Sequence, residues 1–284
     1  MTIKRVGIVG SGIMGSGIAE VAAKHGHEVV LRSRQQASAD AMVAALGKSL
    51  AKQVERGKLS NEDRSATLSR VRATHDLHDL HDCDLVVESV VEDLAVKKEL
   101  FKSLDLVVND EAILATNTST LPVVDLAMAT ERPERVCGVH FFNPAPMMAL
   151  VEVVRPLTAS DTTIAEVTEF AATCGKAPVE VKDRAGFIVN ALLFPYLNNA
   201  VRMLENATAT RDHIDEAMKG GCNFPMGPLA LLDLVGLDTS VAILDALYDE
   251  FRDPNYAAAP ALRRMVSAGH LGRKSGEGFY DYRT

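Results

Sequence analysis

The chain has 284 residues, 47% of them hydrophobic and 24% charged, enough apolar material for one large or two modest cores and too much for a disordered chain. The net charge of −8, with no dense basic block, argues against nucleic acid as a partner. No apolar run is long enough to span a bilayer, so no membrane partner is expected.

The first residues lead straight into a strand-like segment without a charged leader. Cys83, Cys137, Cys174 and Cys222 stand far apart with no CxxC pair. The expectation is a cytoplasmic protein with reduced thiols and neither a disulfide frame nor a zinc site.

In chain order, Val6–Val9 is a short apolar run bounded by glycine and reads as a strand. A helix is expected from Ile13 to His25 and a second strand from Glu28 to Leu31. From Ala39 to Val54 the residues Met42, Val43, Leu46, Leu50 and Val54 recur at helical spacing. Ser60, with Asp63 three residues on, has the pattern of a helix N-cap and its capping-box partner. Further buried strands are expected at Leu85–Val87, Ile113–Ala115, Val136–Phe141 and Val151–Val154. Strands alternating with helices predict an α/β domain with a doubly wound, mainly parallel sheet covered on both faces. From Phe187 onward the pattern is helical, with Leu193, Tyr196, Leu197, Ala200, Val201 and Leu204 on one stripe and a kink expected at Pro195. A boundary at Asp183–Gly186 gives a dinucleotide-binding domain over 1–184 and an all-helical domain over 185–284. No internal repeat stands out.

Gly10-Ser11-Gly12-Ile13-Met14-Gly15 matches GxGxxG directly after a strand and before a helix. The first glycine permits the tight turn, the second lets the backbone approach a pyrophosphate, and the third lets helix pack on strand. Free N–H groups and the helix dipole then face the phosphates. At the end of the second strand, where an acid would accept both ribose hydroxyls of NAD, this chain has Arg32-Ser33-Arg34. A hydroxyl between two guanidiniums suits a 2′-phosphate, so NADP is the preferred cofactor and NAD the alternative. Solvation of a loop is the competing explanation of the arginines.

Taken together, GSGIMGSGIAE, DLVVESVVEDLAVKKELF, ATNTSTLPV, HFFNPAPMMALVEVV, GFIVNALL, PMGPLALLDLVGLD and LGRKSGEGFYDY resemble the 3-hydroxyacyl-CoA dehydrogenase family, in particular its bacterial 3-hydroxybutyryl-CoA dehydrogenase branch. They run in order from Gly10 to Tyr282, essentially the whole chain. The resemblance implies a Rossmann-type domain joined to a helical domain that dimerises, with the active site in the cleft between domains. It implies a cytoplasmic enzyme of fatty acid metabolism that interconverts (S)-3-hydroxyacyl-CoA and 3-oxoacyl-CoA. With NADP, reduction of acetoacetyl-CoA is the implied direction.

By the same resemblance, His140 in HFFNP is the acid–base and Glu152 in LVEVV orients its imidazole. Ser119 in NTST and Asn190 in FIVN hydrogen-bond substrate oxygens. Glu92, Lys97, Asn117, Asn143 and Lys274 match cofactor contacts. Three positions depart from the family pattern: Ser33 replaces the strand-end aspartate, Phe224 a histidine before PMGP, and Ala149 a lysine.

Plainer explanations stand beside these. A histidine between apolar residues is more often structural, and Glu152 in an apolar strand needs a partner that an unrelated arginine also satisfies. Ser119 and Asn117 suit helix caps ahead of Leu121–Ala127, and Asn190 suits a cap or a bridge between helices. Lys48, Lys52 and Arg56 repeat every four residues beside Ser49. The family binds CoA with a basic, hydroxyl-bearing helix here, and a solvated face explains the stripe equally. His75, His78 and His81 in HDLHDLHD read as a polar surface connection, so no metal is expected. Two other functions keep this fold: a dehydrogenase of free hydroxy acids, sugar acids or carrier-bound groups, and a non-catalytic nucleotide-binding protein. The basic stripe argues against the first, and the set Ser119, His140, Glu152 and Asn190 against the second.

Overall fold

The apolar runs of the first half are strands in the computed structural model, which describes residues 2–283. They are β1 (Arg5–Val9), β2 (Glu28–Arg32), β3 (Val71–Thr74), β4 (Leu85–Glu88), β5 (Ile113–Thr116), β6 (Val136–Phe141), β7 (Leu150–Arg155) and β8 (Ala177–Lys182). They form one sheet in the order β3-β2-β1-β4-β5-β6-β7-β8. Every neighbouring pair is parallel except β6 and β7. Strands β4, β5 and β6 are buried along their whole length, as strands covered on both faces must be. Six of the eight strands, all but β3 and β8, carry buried Val, Ile or Leu, whose branched side chains pack well on a pleated surface.

Two edge strands lack such a signal. β3 reads VRAT and β8 reads APVEVK, and both are largely half-buried or exposed. Their polar residues hide the strand from any search for apolar runs, and Pro178 is tolerated because β8 lies at the sheet edge.

The covering helices of this unit are α1 (Ile13–Lys24), α2 (Gln36–Glu55), α3 (Asn61–Ser69), α4 (Leu94–Asp105), α5 (Val123–Ala127) and α6 (Asp161–Thr173). On α2 the buried residues are Ala39, Met42, Leu46 and Leu50, one stripe at three- and four-residue spacing. Ser60 caps α3: its hydroxyl accepts the Asp63 N–H at 2.9 Å and donates to the Asp63 carboxylate at 2.8 Å. The short α5 is capped from a distance, Asp183 accepting the N–H of Val123 at 3.0 Å and of Val124 at 2.7 Å.

The chain divides into two units, Met1–Asp183 and Arg184–Thr284. The second contains α7 (Val189–Glu205), α8 (Arg211–Cys222), α9 (Pro228–Val235), α10 (Leu237–Phe251) and α11 (Pro260–Ser267) around a core that includes Phe194, Leu197, Val201, Leu232, Leu244 and Leu247. Helix α7 continues unbroken through Pro195. Two buried aspartates fasten the C-terminal segment. Asp215 accepts the N–H of Leu229 (2.8 Å) and Ala230 (3.0 Å) and the Tyr280 hydroxyl (2.9 Å). Asp233 accepts the N–H of Phe279 (2.8 Å) and Tyr280 (2.9 Å) and the Tyr282 hydroxyl (3.1 Å). A side chain at Gly278 would collide with the Asp233 carboxylate, which accounts for that glycine in GEGFYDY. Among the described residues no helix is long and apolar enough to cross a membrane.

His27 couples the first unit to pH. Its ring is buried, packs edge-on against Phe170, and meets the Ile3 carbonyl at 3.2 Å. Burial pushes its pKa below the ordinary histidine range, with the Ile3 carbonyl opposing. The unfolded chain therefore takes up this proton first, so stability is fully present above the unfolded pKa and is lost as pH falls toward the folded one. Replacing His27 by glutamine should flatten the fall in thermal midpoint between about pH 7 and pH 5. Parallel melting curves for the parent and His27→Gln would check this.

Candidate active site

The sheet order places the C-terminal ends of β1 and β4 side by side where the winding reverses, the position at which open α/β sheets bind ligands. The glycine loop leaves β1 there. Gly10 has φ +138°, and a Cβ on it would collide with the Ser89 carbonyl oxygen. A Cβ on Gly15 would collide with the Gly10 carbonyl oxygen, whereas one on Gly12 would meet nothing within 4 Å. The first and third glycines thus close the loop on its own surroundings, and the second leaves its face open. The loop borders a cleft of about 590 Å³ lined by Gly10, Ser11, Gly12, Arg32, Ser33, Arg34 and Ser89–Val91. Among the described residues no carboxylate lines this cleft. Ile13 is exposed beside the loop, and Met14 is half-buried in the first turn of α1. An open glycine, outward N–H groups at a helix start and flanking guanidiniums fit a dinucleotide's phosphates.

The second constellation sits on the antiparallel pair. The register of β6 and β7 sets His140 directly opposite Glu152, with both side chains on one face of the sheet. His140 Nδ1–H donates to Glu152 Oε2 at 2.7 Å, and that carboxylate is fully buried. Nε2 is then left as the acceptor of the Ser119 hydroxyl at 3.0 Å. The Phe142 ring leans on the imidazole at 4.5 Å between centroids. A buried carboxylate next to a histidine stabilises the charged imidazolium and fixes which nitrogen is presented outward.

The loop after β5 brings Ser119 to the imidazole. Neither Asn117 nor Ser119 caps α5, whose first N–H groups go to Asp183. Instead Asn117 Oδ1 accepts the Phe141 N–H at 2.8 Å and ties the loop to β6. Glu92 accepts the Thr118 hydroxyl and, at 3.1 Å, the Ser119 N–H. Lys97 is 1% exposed and lies between Glu88 Oε1 at 2.7 Å and Glu92 Oε2 at 3.2 Å.

Residues 5–184 match the NAD binding domain of 3-hydroxyacyl-CoA dehydrogenase, and residues 186–282 match its C-terminal domain. The chain belongs to the 3-hydroxyacyl-CoA dehydrogenase family. Among its relatives, a 3-hydroxybutyryl-CoA dehydrogenase of Mycobacterium tuberculosis is 50% identical over 282 residues, covering 99% of each chain. One from Clostridioides difficile is 47% identical over 278 residues, covering 98% of this chain and 99% of the other. The crystal structure of (S)-3-hydroxybutyryl-CoA dehydrogenase from Ralstonia eutropha superposes with a TM-score of 0.97 at 43% identity, covering all of both chains.

Other residues that the family resemblance singled out lie on several elements of each unit. Lys48 and Lys52 are exposed on α2, and Arg56 is exposed at its C-cap. Ser49, on the same helix, is half-buried, donates to Glu20 Oε2 at 3.2 Å and lines a different cavity. That cavity, about 620 Å³, lies between α1, α2 and the exposed Asn143 with the Pro144–Pro146 turn. In the helical unit, Lys274 pairs with Asp238 at 2.5 Å and Asn190 lies buried at the start of α7. Phe224 stacks edge-on with Tyr196, and Ala149 is exposed, its carbonyl accepting the Ala177 N–H. His75 bonds to Gln36 at 3.0 Å and His81 to the His78 carbonyl at 2.9 Å, in a short turn after β3. Glu88 is the residue that sequence reasoning passed over. The available signal was an acid ending the apolar strand LVVE, with a lysine nine residues on.

The glycine geometry gives a direct test. Gly15→Ala should lower NADH affinity about tenfold or more, because the loop must open to admit the methyl group. Gly47→Ala, on the far side of α2 where the nearest atom lies 4.0 Å from the new Cβ, should leave it unchanged. Fluorescence titration with NADH reads both.

Proposed function

We propose that this chain interconverts an (S)-3-hydroxyacyl-CoA, 3-hydroxybutyryl-CoA above all, and the corresponding 3-oxoacyl-CoA, with a nicotinamide dinucleotide as redox partner. The observation that carries the reading is the imidazole of His140 held between the Ser119 hydroxyl and the buried Glu152 carboxylate, in a chain of this family. His140 Nε2 takes the proton of the substrate hydroxyl as the carbonyl forms, and returns it in the reverse direction. Glu152 stabilises the imidazolium while that proton resides on it. Ser119 orients the reacting oxygen. Asn190, in the helical unit, keeps the substrate-contact role that the family resemblance gives it. Gly10, Gly12, Ile13, Met14 and Gly15 hold the dinucleotide's phosphates, and the nicotinamide, when bound, accepts or supplies the hydride. Glu92, Lys97, Asn117, Asn143 and Lys274 remain the proposed further contacts to it, and a homodimer is the proposed assembly.

NADP(H) is the proposed form of the dinucleotide. Arg32 and Arg34 flank Ser33 at the mouth of a cleft without a carboxylate. Among the described residues neither arginine forms an ion pair, and burial together with Arg34 pushes the Arg32 guanidinium below its ordinary range. A phosphate dianion between them relieves that repulsion, whereas a ribose hydroxyl does not. Ser49 and the Lys48–Lys52–Arg56 stripe are the proposed contacts to the CoA moiety.

Absorbance at 340 nm with acetoacetyl-CoA follows the reaction, that band belonging to the reduced nicotinamide. Replacing His140 by glutamine should lower kcat about 10²- to 10⁴-fold while NADPH affinity stays within about threefold. Turnover near the parent rate would refute the acid–base assignment. With the parent enzyme, kcat/KM should favour NADPH over NADH, and Arg34→Ala should erase most of that preference. Lys52→Glu should raise KM for acetoacetyl-CoA and spare cofactor binding.

A further inference from the structure

We propose that Glu88 is a positioning residue for proton transfer, acting through Lys97, Glu92 and Thr116 on the Ser119–His140 contact. The inference rests on the reading of His140 as the proton carrier.

Glu88 ends β4 and is 0% exposed, and Lys97 is 1% exposed. Burying an ion pair this deeply gives little net stability over apolar residues of the same volume, since desolvation offsets the attraction. Stability alone therefore explains the pair poorly. Its two oxygens serve two routes that meet at the same loop. Through Oε1, Glu88 holds the Lys97 ammonium at 2.7 Å, and Lys97 holds Glu92 Oε2 at 3.2 Å. Glu92 Oε1 then accepts the Thr118 hydroxyl and the Ser119 N–H. Through Oε2, Glu88 accepts the Thr116 hydroxyl at 2.8 Å, and Thr116 Oγ1 in turn accepts the Thr118 N–H at 3.2 Å. Thr118 Oγ1 closes the turn by accepting the Leu121 N–H at 3.0 Å.

Glu92 is 42% exposed in its side chain, so without the buried lysine it would be a mobile bracket. With it, Ser119 is presented to His140 Nε2 at 3.0 Å from a loop whose neighbouring polar groups are bonded inward. The main chain reinforces this, the Asn117 N–H donating to the Glu88 carbonyl at 2.8 Å. The charges matter as well as the geometry. Glu88 and Glu92 share one lysine, which leaves one surplus negative charge behind Ser119, on the side of His140 away from Glu152. That charge favours the imidazolium.

The test uses the full chain and needs no turnover. The imidazole titration of His140 is followed by NMR, its resonance assigned by absence in His140→Gln. In Glu88→Gln the midpoint should move down by about half a pH unit or more, the lost negative charge outweighing any loosened neutral hydrogen bond. Alongside, kcat for (S)-3-hydroxybutyryl-CoA should fall about tenfold or more while KM for that substrate stays within about threefold. A Glu88→Gln protein that melts cooperatively and keeps the parent midpoint overturns the proposal, whatever its kcat, because a merely structural role predicts that result. Should Glu88→Gln not fold, the near-isosteric Thr116→Val decides. It interrupts the second route without changing charge, and a parent-like kcat sinks the idea, whereas a tenfold loss at unchanged KM supports it. If the parent turns over no 3-hydroxyacyl-CoA, the proposed function fails, and the NMR midpoint still judges Glu88.

Discussion

The hydrogen bond between His140 and Glu152 is the constraint around which the first unit is arranged. It depends on the antiparallel step between β6 and β7, because only that register sets residue 140 opposite residue 152. Side chains alternate across a strand with period two, so a slip of one residue would send Glu152 to the other face and leave a carboxylate buried without its partner. Full burial is also what gives the pair its effect. A carboxylate in water would be screened and would hold the imidazole in no particular orientation.

A second constraint meets the first at the C-terminal end of β4. Gly10 must pack against Ser89, and the Gly10–Gly15 loop closes upon itself, which leaves Gly12 as the open face of the cleft. The adjacent residue, Glu88, anchors Lys97 and Thr116 from inside the sheet. One short segment, Glu88 to Glu92, therefore backs the nucleotide loop on one side and brackets the Ser119 loop on the other. Glu88, Lys97 and Thr116 are buried and bonded through Glu88, and such groups resist displacement because each lost bond leaves an unsatisfied partner.

Much of the fold was legible because its determinants are local. The strand–glycine–helix string at Val6–Gly15, the stripe of α2 and the Ser60 cap each depend on residues within one or two turns of chain. β3 and β8 were not legible, since an edge strand buries only part of one face and carries no continuous apolar run. Asn117 shows the same limit within the site. Its neighbourhood in sequence suggests a cap for the following helix, yet its side chain ties β5's loop to Phe141, 24 residues on. Ser49 and Lys52 are three residues apart, and one lines a cavity while the other faces outward.

By itself, the order of residues determined the family and the alternation of strands and helices in its first part, because residue type and motif spacing are properties of the chain. The distance of 2.7 Å between His140 and Glu152, the enclosure of Lys97 between two carboxylates and the anchoring of Asp183 on α5 were decided only in three dimensions. Each joins residues from different strands, helices or loops. The reason is that strand pairing and burial, which set those distances and the strength of the charges, arise from contacts that no local stretch of sequence contains.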